Sequence, residues 1–270
     1  MPPSISPIHP RSGRALLGAW MAALLVAAAG RAELRDLNSD RPDQTESPYT
    51  VDAGHWQVEM DLVSQTRNRL DGVTTREWDV APFNLRFGIS DRVEAGVFFA
   101  PYSRVTTEGD HGARFTVAGA GDLTLRAKFN FFGDDGGRAF GLITDVKLPT
   151  AAAGLGNGAV EGDIALPFAC TLPGDWDLGV MTELDLRHRD GGGLRAVSVN
   201  SVTLGHDLCR NFSGYLELTS AAGDGAHVAT FDFGVAWKVN ANTQFDAGAN
   251  VGISRTADDL RVFTGVTRRF

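Results

Sequence analysis

The side chains best placed to do chemistry are charged residues that recur at every second position of long alternating segments. Residues 122–131 show the pattern most clearly, because Arg126 and Lys128 alternate there with leucine, alanine and phenylalanine. A β-strand puts alternate positions on opposite faces, whereas a helix would scatter them around its circumference. The same spacing puts these residues on one polar face: Arg86, Arg126, Lys128, Asp145, Lys147, Glu161, Asp163, Glu183, Asp185 and Arg187. Such a face either pairs its charges internally or, for a subset of them, selects solutes.

Other chemistries find less support in the sequence. A nucleophilic triad needs serine, histidine and an acid or amide together, but His188 and His227 lie at predicted loop ends. No histidine has a serine at a convincing position on a neighbouring strand. The glycine-rich stretch 154–158 precedes neither a helix nor a lysine, so it is no phosphate cradle. Cys170 and Cys209 lack companions at zinc-ligand spacing. The sequence therefore predicts no enzyme, no cofactor and no metal.

Twelve alternating segments can position the polar face. We predict them at 54–66, 74–89, 92–103, 115–132, 138–150, 159–172, 175–188, 194–209, 211–221, 226–239, 242–254 and 259–270. At about 11–18 residues they exceed the ~5–6 of globular strands and suffice for the ~9–11 that cross a bilayer. Tight turns alternate with longer links at 67–73, 104–114, 151–158, 189–193, 222–225 and 255–258. This predicts an all-β fold, a transmembrane antiparallel up-and-down β-barrel of about 12 strands with its short turns in the periplasm.

A soluble β-sandwich would also alternate, so the aromatic residues are needed to choose between the two folds. They cluster near the short-turn ends of the strands, at Trp56, Phe87, Phe131, Phe140, Phe168, Trp176, Phe212, Trp237, Phe245 and Phe270. A ring of aromatic side chains at one level is the interfacial girdle of a membrane barrel. The last strand also ends in Phe270, which resembles the assembly signal of bacterial outer-membrane barrels, although Arg268 departs from it.

The residues before the first strand divide into two parts. Arg11 and Arg14 precede a short apolar run and a small-residue site, so residues 1–32 are predicted to be a signal peptide. Residues 33–53 have no strand pattern and contain two prolines, which suit an extended path. We expect this segment at or in the periplasmic mouth, with a dangling tail as the alternative. Residues 54–270 are then the barrel.

Three stretches carry a resemblance to a known family. Residues 41–59 read RPDQTESPYTVDAGHWQVE, residues 85–94 read LRFGISDRVE and residues 121–128 read GDLTLRAK. The first, the most specific, includes Arg41, Pro42, Asp43, Thr45 and Glu46. Together they resemble the outer-membrane transporter family named after the MetA pathway of phenol degradation. The resemblance implies a transporter or channel, with aromatic or other catabolic compounds as substrates.

These observations lead to one functional hypothesis and one alternative. The hypothesis is a bacterial outer-membrane channel that passes small molecules; the alternative is a structural barrel with a blocked lumen. The expected partners are outer-membrane lipid, a small solute and, through the strand that ends at Phe270, the barrel-assembly machinery. The net charge of −8 argues against nucleic acid. Inward acids outnumber bases, so an open pore should mildly prefer cations and suit a polar or zwitterionic solute. An apolar solute would have to leave sideways through the wall.

Overall fold

The alternating segments form β-strands that pair in antiparallel ladders around the wall. The computed structural model describes residues 34–109, 112–133, 137–189 and 191–270. The strands are β1 (Trp56–Leu70), β2 (Val73–Val80), β3 (Phe83–Ser90), β4 (Val93–Phe99), β5 (Tyr102–Glu108), β6 (Arg114–Gly119), β7 (Leu123–Phe132), β8 (Arg138–Leu148), β9 (Glu161–Leu172), β10 (Trp176–His188), β11 (Leu194–Cys209), β12 (Phe212–Gly223), β13 (Ala226–Asn240), β14 (Thr243–Gly252) and β15 (Leu260–Arg269). Within these ranges no helix is long and apolar enough to cross a membrane. The predicted signal peptide, residues 1–32, lies outside the described residues.

The sheet closes on itself. Strand β15 pairs with β14 on one side and with β1 on the other. Three wall strands are each split in two. The first consists of β2 and β3, which both pair with β1. The second consists of β5, which pairs with β2, and β4, which pairs with β3. The third split strand consists of β6 and β7. Fifteen segments therefore make twelve wall strands, and the prediction of a twelve-stranded antiparallel barrel is confirmed.

The prediction that these three strands are continuous was wrong. The structure interrupts the segments predicted at 74–89, 92–103 and 115–132. Pro82 and Pro101 stand in the first two interruptions, where a proline cannot donate a ladder hydrogen bond. In the third, the backbone N–H of Gly121 donates to the carbonyl of Ala100 at 2.8 Å instead of continuing its own strand ladder. The three breaks thus divide this side of the barrel into an upper and a lower panel.

Two of the predicted long links are tight turns. Strands continue through most of 67–73 and 222–225, leaving only the dipeptides Asp71-Gly72 and Asp224-Gly225 between paired strands. Both residues of each dipeptide have positive φ, from 49° to 82°. That conformation is the type I′ hairpin turn, for which Asp-Gly is a preferred sequence. The alternation of short and long connections therefore holds for only part of the barrel.

The upper panel ends in an edge without a ladder partner. Strand β6 pairs with β5 on one side, and no other described strand pairs with it. Strand β8 ends at Leu148, and residues 149–160 run beside β6 as a loop. One backbone hydrogen bond, from Ala152 N–H to the Ala120 carbonyl at 2.9 Å, fastens the loop just below β6. The wall is consequently weakest at this point.

The two faces of the wall differ as the alternation predicts. Leu125, Val180 and Phe233 are 40–45% exposed on the outside, where lipid would cover them. On the inside, charged side chains such as Lys128 and Asp232 are fully buried. A small apolar cluster, Ile143 with Ala165 and Met181, interrupts the polar interior. Apart from such patches, the core of this molecule is polar and its apolar surface faces outward.

Aromatic side chains of neighbouring strands meet at the short-turn end. The rings of Trp56 and Phe87 have centroids 4.6 Å apart. Trp237 stacks on Phe212 at 5.7 Å and contacts Phe245 at 6.2 Å. These contacts link rings across adjacent strands at one level, as expected of an interfacial girdle. We assign this end to the periplasm, because the longer connections, 149–160 and 253–259, lie at the other end.

Candidate functional site

Residues 34–55, here called the inner segment, lie inside the barrel. Asp40 contacts Lys128 of β7 with an oxygen-to-nitrogen distance of 2.6 Å. On another side of the wall, Arg41 contacts Asp246 of β14, also at 2.6 Å. The N–H of Thr45 donates to the Glu217 carboxylate of β12 at 2.7 Å. One segment that reaches three separate parts of the inner wall must cross the lumen.

Arg86 is the centre of the largest charge network. Its guanidinium, 1% exposed, donates to Glu94 at 2.7 Å and also binds Glu59. It lies 3.1 Å from Asp40 of the inner segment and donates to the carbonyl of Tyr49 at 3.2 Å. An arginine can serve several acceptors at once because its five N–H donors are fixed in a planar fork. Arg86 therefore binds the inner segment to β1 and β4.

A second set of contacts fastens the segment to β1, β13 and β14. Arg41 bridges Asp246 and Asp61, and its guanidinium lies where a side chain on Gly265 would otherwise project. Gln44 donates from its amide to Asp232 at 2.6 Å. These side chains are charged or polar on both partners, so removing either leaves a buried group unpaired.

The periplasmic end of the segment is fitted to the wall by its backbone. Ala53 forms a parallel bridge with Gly88 of β3, and Gly54 N–H donates to the Gly88 carbonyl at 2.7 Å. A Cβ atom at Gly88 would overlap the carbonyl oxygen of Asp52. The Asp52 carboxylate in turn binds Arg269 of β15 at 2.7 Å. Only glycine permits this close approach of two backbones.

Burial and charge shift the pKa values of the segment's carboxyl groups in different directions. Burial raises the pKa of Glu46 from 4.5 to about 7, against the opposing effect of Arg126. Burial and the Glu217 carboxylate raise the pKa of Asp43 well above its usual value. Burial would also raise the pKa of Asp40, but the cationic wall, Arg86 first, outweighs it and lowers that pKa. Asp40 is thus held as an anion, whereas Asp43 favours its protonated form.

Open space remains beyond the inner segment on the long-loop side. This outer cavity, about 510 Å³, is lined by eight of the ten predicted residues, together with Glu46 and Phe98. The eight are Arg126, Asp145, Lys147, Glu161, Asp163, Glu183, Asp185 and Arg187. The two others, Arg86 and Lys128, lie buried against the inner segment.

Charges in the outer cavity are only partly compensated. Arg126 binds Asp145 at 2.7 Å, Lys147 binds Glu161 at 2.8 Å, and Arg187 binds Asp185. Among the described residues, Asp163 and Glu183 make no ion pair. Oxygens of Asp163, Glu183 and Asp185 lie within 4.8 Å of one another. The cavity therefore concentrates negative charge, which attracts cations and cationic groups.

A second, inner cavity of about 610 Å³ lies on the periplasmic side. Its lining combines the inner segment with the lower parts of β9–β14, including Gly179, Thr203 and Tyr215. The Tyr215 hydroxyl donates to the Pro42 carbonyl at 3.3 Å, so this wall too contacts the segment.

Sequence reasoning missed two contributors to the site and misjudged a third feature. Phe98 lies beneath the Arg126 guanidinium, 4.3 Å from ring centroid to Cζ, and its spacing from Glu94 in β4 could have revealed its inward position. Arg269 faces inward beside the terminal residue. The expectation that no histidine has a nearby serine was wrong, because Ser220 Oγ lies 3.0 Å from His227 Nε2 across the β12–β13 hairpin. Within the described residues, no carboxylate or amide orients this histidine.

The fold has counterparts among solved structures. The COG4313 outer membrane channel from Pseudomonas putida F1 is 15% identical, with a TM-score of 0.64 over 85% of this chain and 99% of that one. The NanC porin is 9% identical, with a TM-score of 0.53 over 78% and 98%. The β domain of the Bordetella autotransporter BrkA is 14% identical, with a TM-score of 0.52 over 81% and 100%. No curated protein matches the sequence.

These likenesses establish the outer-membrane barrel fold, and with the outward apolar face they locate the protein in the bacterial outer membrane. The sequence adds the family. Residues 39–270 match the family model described as "Putative MetA-pathway of phenol degradation". That match spans the inner segment from residue 39 onward and every wall strand. The chain belongs to this family.

Proposed function

We propose that the protein is an outer-membrane channel for small molecules. The observation that carries the proposal is that open volume persists on both sides of the inner segment, about 510 Å³ outside and about 610 Å³ inside. Sites for small organic ligands have about this size. A barrel with a purely structural role would gain stability by filling both ends. The likeness to an outer membrane channel supports the same conclusion.

The solute we propose is a small polar organic molecule that is zwitterionic or carries a positive charge. Six acids and three bases line the outer cavity, so the entry to the lumen is negative overall. The ring of Phe98 adds one aromatic surface. The family description links related chains to phenol degradation, which supports an aromatic solute with a polar group.

Uptake into proteoliposomes tests this proposal. Benzylamine, phenol and benzoate are similar in size and differ in charge, so their swelling rates isolate the electrostatic contribution. The expected order is benzylamine fastest and benzoate slowest, with the differences reduced at high salt. Liposomes that neither swell nor conduct ions would show instead that the barrel is structural and its lumen blocked.

A second route is favoured by the unpaired edge of β6. An apolar solute could leave the lumen sideways where only the 149–160 loop covers the wall. A Cβ atom at Gly154 would lie 3.8 Å from the Cβ of Val117, within disulfide range, although a cysteine there must adopt the φ of 86° that Gly154 has. If apolar solutes use this route, oxidising a Val117→Cys, Gly154→Cys variant will stop their uptake and reduction will restore it. Unchanged uptake of apolar solutes in the oxidised protein would exclude the lateral route.

We also propose that β15 presents the assembly signal. Phe270 is 57% exposed at the end of the closing strand, and its backbone N–H donates to Trp56 at 2.8 Å. Deleting Phe270 is expected to lower the yield of folded barrel in cells while leaving refolding in detergent intact. Finally, we propose a channel without enzymatic activity: Ser220 and His227 meet across the β12–β13 hairpin, but among the described residues no carboxylate or amide binds this histidine to orient it.

A further inference from the structure

We propose that the Glu46 side chain is the barrier that separates the outer cavity from the inner cavity. This inference rests on the proposed channel function and identifies its narrowest point. Among the described residues, Glu46 alone lines both cavities. Every other lining residue belongs to one cavity or the other, so Glu46 stands at the boundary between the two spaces.

The burial of wall residues supports a barrier at the same height in the barrel. Along β10, Glu183 lines the outer cavity and Gly179 lines the inner one, while Met181 between them is buried. Along β9, Asp163 lines the outer cavity, and Ala165, on the same face and nearer the periplasm, is buried. Ala165 and Met181 belong to the apolar cluster with Ile143. Open space is therefore interrupted at one level, where the wall is apolar and tightly covered.

Glu46 is held at this level by a single cation. Its Oε1 accepts a hydrogen bond from Arg126 at 2.6 Å, and the guanidinium is backed by Phe98. Its Oε2 is buried and has no hydrogen-bond partner among the described residues. A buried carboxylate oxygen without a partner weakens the docking of the side chain. A barrier that must yield to a solute requires such a weak contact.

Moving Glu46 would not disrupt the wall behind it. Arg126 keeps three hydrogen bonds to Asp145, at 2.9, 3.2 and 2.7 Å, when Glu46 leaves. The neighbouring residue Thr45 stays anchored to Glu217 through both its N–H and its hydroxyl. The side chain can thus swing while the inner segment remains docked.

Single-channel conductance in planar bilayers tests the barrier. Glu46→Ala removes the side chain beyond Cβ and should raise conductance by at least about threefold, since the narrowest constriction limits permeation. Glu108→Ala is the matched control, because Glu108 also pairs with an arginine, Arg76 at 2.8 Å, but lines neither cavity. It should conduct like the wild type. Heat-modifiable migration on gels verifies that each variant is folded.

A cysteine variant provides a test within one folded protein. Glu46→Cys, in a background with Cys170→Ser and Cys209→Ser, should conduct like Glu46→Ala and lose that gain when N-ethylmaleimide refills the gap. A Glu46→Ala conductance equal to the wild type, or a cysteine variant unaffected by the reagent, would overturn the barrier assignment. The wild type reports on the channel separately: if it conducts but Glu46→Ala adds nothing, only the barrier fails. If the wild type is silent and Glu46→Ala conducts, the barrier stands and the wild-type channel does not.

Discussion

Charged side chains of the wall are paired where they face the inner segment, but only partly paired where they face the outer cavity. Where the inner segment crosses the lumen, buried wall charges such as Arg86 and Lys128 meet carboxylates at 2.6–3.1 Å. In the outer cavity, Asp163 and Glu183 face open space without a described cation partner. Both groups come from the same alternating pattern in the sequence. The two groups differ in whether the inner segment covers them. Wall charges that it covers are structural, and those beyond it face the solute.

Removing a cation from the network around Arg86 should destabilise the protein most. Arg86→Ala would leave Glu59, Glu94 and Asp40 buried without their shared partner. Breaking a buried ion pair from one side costs about 3–5 kcal/mol, so the free energy of unfolding should fall by about that amount. Urea titration in detergent micelles measures it. Arg114→Ala is the control, because the Arg114 side chain is 60% exposed and should change stability little. Equal effects would mean that the network around Arg86 is not structural.

A smaller change separates the inner segment from the wall without touching a charge. In Gly88→Ala the new Cβ meets the Asp52 carbonyl, so the periplasmic end of the segment must shift. Overpacking of this kind costs about 1–3 kcal/mol. We expect residues 34–55 to become protease-sensitive and the conductance to become noisier. Gly109→Ala introduces the same methyl group into open space and should have neither effect. If residues 34–55 stay fully protected from protease in Gly88→Ala, the close backbone contact at Gly88 does not hold the inner segment in place.

Substitutions in the outer cavity should change the ion selectivity of the channel more than the stability of the fold. Asp163→Asn with Glu183→Gln replaces the two acids of this cavity that have no described cation partner with amides of similar volume. The cation-to-anion permeability ratio, taken from reversal potentials under a salt gradient, should fall by about twofold, and salt should screen what remains. Asp224→Asn, in the tight turn of the β12–β13 hairpin, is the control for a general charge effect. Anion selectivity in the wild type at low salt would contradict the assignment of this cavity.

The sequence predicts the positions of the wall residues much better than those of the inner segment. Alternation places Arg126 and Asp145 on the inward face, and sequential strands make them neighbours, as their register confirms. It cannot assign Lys128 to Asp40, because the inner segment has no period and its path depends on tertiary contacts. The same limit applies to Glu46, whose place between the cavities follows from contacts on both sides of the lumen. The alternation pattern predicts which face a strand residue lies on, whereas the positions of inner-segment residues depend on tertiary contacts.

Local signals for the other differences were present in the sequence but carried too little weight. Pro82 and Pro101 lie within predicted strands, and each cannot complete a ladder. The dipeptides Asp71-Gly72 and Asp224-Gly225 are hairpin signals within links judged to be long. In each case a pattern averaged over ten residues outweighed a one- or two-residue signal. Backbone restrictions of single residues decide where a strand stops, even when its polarity pattern continues.

The exposed ion pair of Arg187 and Asp185 should contribute least to stability. The Arg187 side chain is 48% exposed at the rim of the outer cavity and binds Asp185, two residues earlier on the same face of β10. Exposed pairs contribute about 0–1 kcal/mol, so Arg187→Ala should change the free energy of unfolding by less than about 0.5 kcal/mol. It nevertheless removes one of three bases from the cavity lining and frees the Asp185 carboxylate. Cation preference should therefore rise slightly in reversal-potential measurements, opposite in sign to the change in the Asp163→Asn, Glu183→Gln variant. A loss of stability comparable to that of Arg86→Ala would mean that the outer cavity, too, is held together by its charges.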